Sequence, residues 1–307
     1  MFNFSIVIPL FNKRTHIIKS LDSIRSQLYD KYEVVIIDDG STDDSQEVVV
    51  QWINSLNHNE REKYKIIRQN NSGVSVARNA GIINSKYDYI ALLDADDYWE
   101  KEHLLQLKLL IDGFSHDVDI FSNAIKQHQD GVFIYPKLGK YANWFGLVNY
   151  FHASLISNGF VHSSSVCIKK SALLINPFPI GMKNFEDVIT WARIANTKGF
   201  AFHSGRTVVN VIDNAEASLN IDFSNYIRHE KLMLSIHANK ISLILYEFKF
   251  LLIHVFFARL QMSGVKYLRK SLDVFGESYI TSICLFIGFF IPRFIMKPLR
   301  NIRKNLT

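Results

Sequence analysis

The feature that most constrains this chain is the alternation of strand-like and helix-like segments over its first hundred residues. Short apolar runs rich in Val and Ile predict buried strands, and segments with apolar residues at helical spacing predict helices between them. The predicted strands are residues 4–10, 32–40, 65–69 and 89–94, and the predicted helices are residues 16–27, 43–56 and 74–84. This β-α-β-α order is typical of an α/β fold with a mostly parallel sheet and helices on both faces.

Polar residues cluster at the carboxyl ends of these predicted strands. One cluster contains Asp38 and Asp39, another contains three aspartates within residues 94–97, and a third covers residues 71–79. Ligands of parallel sheets bind beyond the carboxyl ends of the strands, so the clusters are expected to meet at one edge. Crowded carboxylates become tolerable when Mg²⁺ or Mn²⁺ neutralises them, and Mg²⁺ completes its shell with substrate phosphates and water. The sequence therefore predicts a phosphorylated substrate, in particular a nucleotide.

Each of these residue groups also has a purely structural interpretation. The acids at 94–97 could cap a helix that begins at Tyr98, because Asp is common at helix N-termini. Asp38 and Asp39 could belong to an Asp-Gly turn. Arg78 could be a cation on a helix surface, although its planar guanidinium suits phosphate oxygens.

Beyond residue 100 the periodicity is weaker. The sequence predicts helices at residues 102–111 and 184–198, a pair of strands at 119–125 and 132–136, and a further strand at 161–170. From about residue 225 onward the pattern is helical throughout.

Four segments, in this order and spacing, resemble glycosyltransferase family 2: IVIPLFNK, VVIIDDGSTDDS, NNSGVSVARNAGI and YIALLDADD. The segment NFEDVITWARIA, residues 184–195, looks like a fifth motif, the ED helix of that family. The resemblance is close over residues 3–100 and weaker to about residue 220. It implies a GT-A fold, which is Rossmann-like, in a domain of residues 1–222. Residues 1–100 would form its nucleotide-binding half and residues 101–222 its acceptor half.

The first three motifs imply a nucleotide-binding role for their residues. Pro9 and Phe11 would lie at the nucleotide, with Phe11 against the base. Asp39 would hydrogen-bond the base, commonly uracil in relatives, with Asp38 nearby. Arg78 would help to hold the nucleotide.

The last two motifs imply the metal site and the catalytic base. Asp94 would lie near the ribose and the metal, and Asp96 would be the main ligand of Mn²⁺ or Mg²⁺. Asp97 would contact the donor or the acceptor sugar. Asp187 would be the catalytic base, with Glu186 beside it on the acceptor side. The structural alternative for these last two residues is a pair of first-turn acids favoured by the helix dipole.

These roles describe an inverting glycosyltransferase that moves one sugar from a nucleoside-diphosphate sugar, expected to carry UDP, to a hydroxyl group. The metal would stabilise the leaving diphosphate, and Asp187 would accept the hydroxyl proton. The QxxRW signature of processive synthases is absent near TWARIAN, which favours a single addition. The segment TVVNVIDNAEASLN lacks the histidine that many relatives carry after the last core strand, so a metal or phosphate contact from it is left open.

The C-terminal region, residues 223–307, has a different character. It holds 13 of the chain's 35 Lys and Arg residues but only 4 of its 29 Asp and Glu residues. Its uncharged run 278–291 is shorter than the ~20 residues that span a bilayer, and basic residues follow it. We interpret the region as a helical, membrane-associating extension that binds an anionic membrane surface. An ordinary helical bundle is the alternative.

The expected partners and location follow from these features. A nucleic-acid partner is not expected, because the basic residues accompany an apolar run. The N-terminus lacks the pattern of a secretion signal, and the two cysteines suggest no disulfide framework. We therefore expect a cytoplasmic protein at the inner face of the plasma membrane, with a glycan or lipid-linked acceptor in bacterial surface polysaccharide synthesis.

Two other functions stay open at this point. A catalytically inactive, membrane-attached scaffold would retain the GT-A fold without the chemistry. A sugar nucleotidyltransferase is less expected, because it needs a Gly-rich phosphate loop with Arg and Lys after the first strand, where this chain has PLFNKRTH.

Overall fold

The computed structural model describes residues 2–156, 159–182, 184–196 and 198–212. All of them belong to one compact unit of the chain. The helices and the membrane anchor predicted for residues 223–307 lie outside the described residues. Within the described part of the chain, no helix combines the length and the apolar character that crossing a bilayer requires.

Strands and helices alternate as predicted through the first half of the described chain. The strands are β1 (Phe4–Leu10), β2 (Tyr32–Asp38), β3 (Tyr64–Arg68), β4 (Tyr89–Leu92), β5 (Tyr98–Trp99), β6 (Ile120–Gln129), β7 (Val132–Ile134), β8 (Phe145–Val148), β9 (Val166–Lys169) and β10 (Phe200–Val211). The α-helices are α1 (Ile17–Arg25), α2 (Ser45–Ser55), α3 (His58–Arg61), α4 (Val74–Asn84), α5 (His103–Phe114), α6 (Tyr150–Ile156), α7 (Lys170–Ile175) and α8 (Glu186–Ala195). Short 3₁₀ turns form at Gly139–Tyr141 and Ser163–Ser165.

The strands form one mixed sheet in the order β3-β2-β1-β4-β9-β6-β10-β5, with β7 paired to β6 and β8 paired to β10. The strands β3, β2, β1 and β4 pair in parallel, so their carboxyl ends lie at one edge. The strand β9 lies between β4 and β6 and is antiparallel to both. The strand β6 and its parallel neighbour β10 therefore run in the same direction as β4. The α/β prediction is confirmed, with antiparallel strands added at β5, β7, β8 and β9.

The central strands have helices on both faces, which is why they are apolar along their whole length. One face of β1 belongs to a buried cluster that also contains Ile17, Leu21 and Ile24 of α1. On the other face α4 approaches β1 so closely that a Cβ on Gly81 would lie 2.3 Å from Cγ1 of Val7. Glycine at position 81 therefore sets the height of α4 above the sheet and with it the height of the residues in the first turns of α4.

Candidate active site

A pocket of about 450 Å³ lies at the carboxyl ends of β1, β2 and β4. The segments after these strands and the start of α4 contribute to its lining. The lining residues are Pro9, Leu10, Phe11, Lys13, Asp39, Asn71, Gly73, Val74, Ala77, Arg78, Asp94, Ala95 and Asp96. Most residues predicted to bind the nucleotide or the metal are therefore brought together, although their binding roles stay predictions.

Phe11 offers an accessible aromatic ring at the mouth of this pocket. Its side chain is 44% exposed, although it follows directly on the buried strand β1. The next residue, Asn12, has a left-handed φ of 52°, and the N–H of Asn12 donates to Oγ of Ser41 at 3.2 Å. This turn fixes the backbone beside the ring. An exposed ring at a pocket edge suits stacking against a nucleotide base.

Asp39 organises the loop that forms the opposite wall. Its Oδ1 accepts from Nε2 of Gln69 at 2.6 Å and from the N–H of Ser72 at 2.9 Å, while its Oδ2 accepts from the N–H of Gly73 at 2.8 Å. A carboxylate offers about four lone-pair sites, so one site on Oδ2 stays available. Gly40 permits the close approach of the two loops, because a Cβ there would lie 2.9 Å from the backbone nitrogen of Asn71.

Asp38 faces the interior and does not line the pocket. Its side chain is fully buried, and its Oδ1 accepts from the N–H of Ser41 at 3.0 Å. Its Oδ2 lies 3.5 Å from Nε of Arg68, an ion-pair distance without hydrogen-bond geometry. Asp38 therefore braces the turn after β2, and its place near the nucleotide stays a prediction.

Arg78 joins the acid cluster after β4 to the start of α8. Its Nη2 lies 2.8 Å from Oδ1 of Asp94, and its Nη1 lies 2.8 Å from Oε1 of Glu186. Burial alone would lower the pKa of Arg78. The charges of Asp94 and Glu186 outweigh this effect and raise the pKa above its ordinary value, so the guanidinium stays charged. Burial raises the pKa of Asp94, and the opposing charge of Arg78 brings it below its ordinary value. Arg78 is thus a buried bridge, with its side chain 4% exposed.

Asp96 is paired with a lysine of the loop after β1. Its Oδ2 lies 3.0 Å from Nζ of Lys13, and both side chains line the pocket. Sequence reasoning singled out Asp96 but not Lys13. The two residues lie far apart along the chain, so no local pattern connects them.

Asp97 points away from the pocket and anchors the end of β10. Its carboxylate accepts from Oγ of Ser164 at 2.5 Å, from Nδ2 of Asn210 at 3.1 Å and from the N–H of Val211 at 2.9 Å. Burial raises the pKa of Asp97 to about 7, with a smaller contribution from the neighbouring acids of the motif. Asp97 is 1% exposed and does not line the pocket, so its contact with a sugar stays a prediction. Residues 207–212, the part of this segment that the structure describes, thus contribute hydrogen-bond donors to Asp97 and contain no histidine.

The two acids of the ED motif open α8. Phe185 precedes the helix with a left-handed φ of 69°. Glu186 is buried behind Arg78, and burial followed by the charge of Asp187 raises the pKa of Glu186. Asp187 is less enclosed, and its Oδ2 accepts from Oγ of Ser163 at 3.2 Å. Of the two, Asp187 is the more exposed, and its role as catalytic base stays a prediction.

A short turn, residues 162–165, connects the acids after β4 to the acids that open α8. Oγ of Ser163 donates to Asp187, while Oγ of Ser164 donates to Asp97 and accepts from the N–H of Asp94 at 3.1 Å. The turn begins at His162, whose ring nitrogen accepts from the N–H of Ser164. Sequence reasoning missed this turn, and the run of three serines before a strand was the available signal.

Among the residues that the structure describes, two sets of side chains have the chemistry to hold a divalent cation. One atom each of Asp94, Asp97 and His162 lie within 4.8 Å of one another. Each carboxylate oxygen of Asp97, however, already accepts two hydrogen bonds, and Nδ1 of His162 accepts an N–H at 3.2 Å. The carboxylates of Asp94 and Asp96 reach the pocket and are 24% and 31% exposed, and a positive charge already lies against Asp96. Asp94 and Asp96 therefore fit a bound cation better.

Comparison with known sequences gives one family. The sequence profile described as Glycosyl transferase family 2 matches residues 5–173. Glycosyltransferase GlyA of Streptococcus pneumoniae is 30% identical over 135 residues, a stretch that covers 44% of this chain and 19% of that relative. The present chain thus corresponds to a small part of that longer protein.

Comparison with solved structures gives the same fold. Residues 1–349 of Staphylococcus aureus TarS, in complex with UDP-GlcNAc, align with a TM-score of 0.66 at 21% identity, over 81% of this chain and 71% of that one. The mannosyltransferase PcManGT from Pyrobaculum calidifontis, in complex with GDP-Man and Mn²⁺, aligns with a TM-score of 0.56 at 19% identity, over 78% and 66%. At these identities the likeness concerns the fold alone.

Proposed function

The chain belongs to glycosyl transferase family 2, and we propose that it moves one sugar from a nucleoside-diphosphate sugar to a hydroxyl group of a glycan or lipid-linked acceptor. The reaction would invert the anomeric carbon and would require Mn²⁺ or Mg²⁺. One observation carries this proposal. Arg78 bonds Asp94 of the pocket and Glu186 of the ED motif at 2.8 Å each, which supports a single site with a donor side and an acceptor side.

Donor recognition rests on Phe11 and Asp39. The exposed ring of Phe11 offers a stacking surface for a base. The free acceptor site on Asp39 requires an N–H donor, which both uracil and guanine present at their pairing edge. The two structural neighbours hold UDP-GlcNAc and GDP-Man, respectively. We propose UDP as the nucleotide and treat GDP as the alternative to be tested beside it.

Asp94 and Asp96 would hold the divalent cation. Once bound, the ion supplies Lewis-acid stabilisation of the negative charge on the departing diphosphate. Asp94 is held in place from two directions, by the guanidinium of Arg78 and by Oγ of Ser164 at its backbone N–H. Preorganised carboxylates of this kind lose little freedom when a ligand arrives.

Asp187 would accept the proton of the acceptor hydroxyl. As the oxygen of that hydroxyl bonds to the anomeric carbon, the bond from that carbon to the diphosphate breaks, and the diphosphate leaves with the electron pair. Ser163 orients the carboxylate of Asp187 through the hydrogen bond at 3.2 Å. General-base catalysis of this type contributes about 10²–10⁴-fold to a rate. Attack from the side opposite the leaving group gives inversion.

The setting of the reaction is part of the same proposal. Residues 223–307 carry 13 basic and 4 acidic residues, a balance that suits an anionic membrane surface. A protein bound to the cytoplasmic face of a bacterial membrane would have access to a lipid-linked acceptor there. The reaction would then belong to surface polysaccharide synthesis.

The test is turnover of a panel of UDP-sugars and GDP-sugars, with Mn²⁺, with Mg²⁺ and with a chelator, measured as release of nucleoside diphosphate. We expect one donor to be consumed in a metal-dependent manner. Asp187→Asn should lower turnover by about 10²–10⁴-fold while nucleotide binding persists. Asp96→Ala should lose the metal-dependent activity. Asp30→Asn changes an exposed aspartate and serves as the matched control.

The same experiment separates the alternatives. If no donor is consumed and neither UDP nor GDP raises the unfolding temperature with metal present, the protein is an inactive scaffold. If a nucleoside triphosphate and a sugar 1-phosphate give pyrophosphate, it is a nucleotidyltransferase. Equal turnover by Asp187→Asn and Asp30→Asn would remove Asp187 from the mechanism.

A further inference from the structure

Residues 176–182 follow α7 on the way to α8 and form neither helix nor strand. Pro177 and Pro179 flank Phe178 in this stretch, and a proline has no backbone N–H. Phe178 therefore supplies the only N–H donor among residues 177–179. Because buried backbone groups need partners, hydrogen bonds from another element have to fix this stretch.

The side-chain amide of Asn79 in α4 supplies two such hydrogen bonds. The N–H of Phe178 donates to Oδ1 of Asn79 at 3.0 Å, and Nδ2 of Asn79 donates to the carbonyl of Phe178 at 2.9 Å. A side-chain amide carries an acceptor and donors side by side, as a peptide group does. Asn79 therefore pairs with Phe178 as a residue of a neighbouring strand would, although 99 positions separate the two.

The ring of Phe178 connects this pair to both sides of the candidate site. The ring is buried, and its centroid lies 5.2 Å from Cζ of Arg78 and 5.5 Å from the ring of Trp191. A guanidinium over an aromatic ring is attracted to it, more strongly where water is excluded. Trp191 is also buried and belongs to α8, the helix that begins with Glu186 and Asp187.

The helix α8 is thus linked to α4 in two ways. The direct link is the ion pair of Arg78 with Glu186 at 2.8 Å, which fixes the first turn of α8. The indirect link passes through Phe178 to Trp191, which lies in the second turn. Because Asp187 lies between these two contacts along the helix, both determine the position of its carboxylate.

We propose that Asn79 is a positioning residue of the transfer reaction, which acts through Phe178 to hold Arg78 and α8 in place. This inference rests on the proposed function, because it takes Asp187 as the base and the pocket beside Arg78 as the donor site. Asn79 does not line the pocket, so its effect on the reaction passes through Phe178.

The consequence of losing the pair differs for the two halves of the reaction. Without Asn79, the backbone at Phe178 is released, and its ring can withdraw from Trp191. A displacement of a reacting group by ~1 Å can lower a rate about 10²-fold. Nucleotide binding, by contrast, is proposed to rest on Phe11 and Asp39, which belong to the loops after β1 and β2. The expected signature is a fall in kcat at an unchanged nucleotide affinity.

The experiment compares the full-length wild type with Asn79→Ala, with Phe178→Leu and with the double variant. Asn84→Ala is the matched control, because Asn84 is an exposed asparagine of the same helix, and its Nδ2 donates to the carbonyl of Ala80 at 2.9 Å. Turnover is measured as release of nucleoside diphosphate from the UDP-sugar or GDP-sugar that the wild type consumes. Binding of UDP and of GDP, with Mn²⁺ present, is measured by calorimetry. Hydrogen exchange of residues 186–195, followed by mass spectrometry, reports on α8 without any substrate.

For Asn79→Ala we expect kcat to fall by about 10–100-fold and nucleotide affinity to stay as in wild type. The amides of residues 186–195 should exchange about tenfold faster, while those of α2 exchange as in wild type and show that the variant is folded. The double variant should be no worse than Phe178→Leu, because a residue that acts through a ring adds nothing once the ring is gone. Asn79→Asp keeps the shape but loses the donor, so it should behave as Asn79→Ala does. Asn84→Ala should match wild type throughout.

The possible failures are distinguishable. If Asn79→Ala matches Asn84→Ala in kcat or in the exchange of residues 186–195, the positioning role is wrong and the proposed function stands. Losses that multiply in the double variant would show that Asn79 acts by a route other than Phe178, which also overturns the inference. Wild-type turnover by Asn79→Asp would reduce the role of Asn79 to its shape, with the same result. If the wild type consumes no donor, the proposed function fails and this inference fails with it.

Discussion

Replacing Arg78 with methionine tests whether the buried bridge holds the site together. The side chain of Arg78 is 4% exposed and pairs with Asp94 and Glu186 at 2.8 Å each. Removing one partner of a buried ion pair typically costs ~3–5 kcal/mol, because the remaining charge is left without compensation. Methionine fills a similar volume, so the loss of packing is small. We expect Arg78→Met to lower the free energy of unfolding at pH 7 by about this amount.

The pH dependence of that loss identifies its cause. Burial, followed by the charge of Asp187, already raises the pKa of Glu186, and loss of the guanidinium of Arg78 would raise it further. A carboxyl group whose pKa is higher in the folded state stabilises the fold below its unfolded pKa, and this contribution disappears as the pH rises through the folded pKa. The gap between Arg78→Met and wild type should therefore narrow as the pH falls from 7 towards the unfolded pKa of a glutamate.

The assay is denaturant unfolding of the full chain at pH 7 and at pH 5, followed by tryptophan fluorescence. Arg25→Met is the control, because Arg25 pairs with Glu60 at the exposed surface, where ion pairs contribute little. Two results would refute the reasoning. One is an Arg78→Met variant as stable as Arg25→Met, and the other is a gap that stays constant between the two pH values.

Three further predictions follow from single contacts. Ser163→Ala should lower turnover about tenfold and leave the nucleotide affinity unchanged, because only the orientation of Asp187 is lost; steady-state kinetics beside calorimetry checks this. Gly81→Ala should cost ~1–3 kcal/mol in chemical unfolding, because its Cβ would meet Val7, and adding Val7→Ala should recover part of the loss. Burial lowers the pKa of His103 to about 3. The neutral imidazole therefore contributes stability that is lost as the pH falls below 6.5, the ordinary pKa of a histidine. His103→Gln should accordingly lose less free energy of unfolding between pH 7 and pH 5 than wild type does.

The sequence was sufficient for those parts of the fold that local patterns determine. The helix predicted at 74–84 is α4 with the same bounds, and the strand pair predicted from 119 to 136 is the antiparallel pair β6 and β7. The long strand β10 escaped prediction, because it contains Gly205 and its register with β6 shifts between His203 and Val208. An interrupted strand shows no regular period of two, so only its neighbours in the sheet define it.

The residues of the candidate site also separate into those that the sequence predicts and those that it does not. Acids at strand ends were expected to meet at one edge, and parallel pairing of β1, β2 and β4 brings them there. Neighbouring residues of an extended chain point to opposite sides. For that reason Asp39 reaches the pocket while Asp38, at the end of β2, turns inward. Residues 94–97 form a turn, in which the N–H of Asp97 donates to the carbonyl of Asp94, and this turn places Asp96 at the pocket and Asp97 in the interior. A sequence motif contains both acids of such a pair and does not indicate which of them faces the ligand.

Lys13, Ser163 and Ser164 could not be predicted for a different reason. Each acts through a contact with a residue distant in the chain, such as the pairing of Lys13 with Asp96. Their residue types are common in loops, and only the assembled sheet shows their partners. Non-local contacts of this kind are the part of an active site that a single sequence does not display.

The insertion of β9 between β4 and β6 has a consequence for the order in which the protein matures. Every residue that lines the pocket lies between positions 9 and 96, whereas the turn at 162–165 and the acids of α8 come much later in the chain. The chain is synthesised from its N-terminus, and distant strand pairings are slow to form. We therefore expect a nascent chain to gain its nucleotide pocket first. Its Arg78 and Asp94 would gain their partners Glu186 and Ser164 only after β9 has entered the sheet.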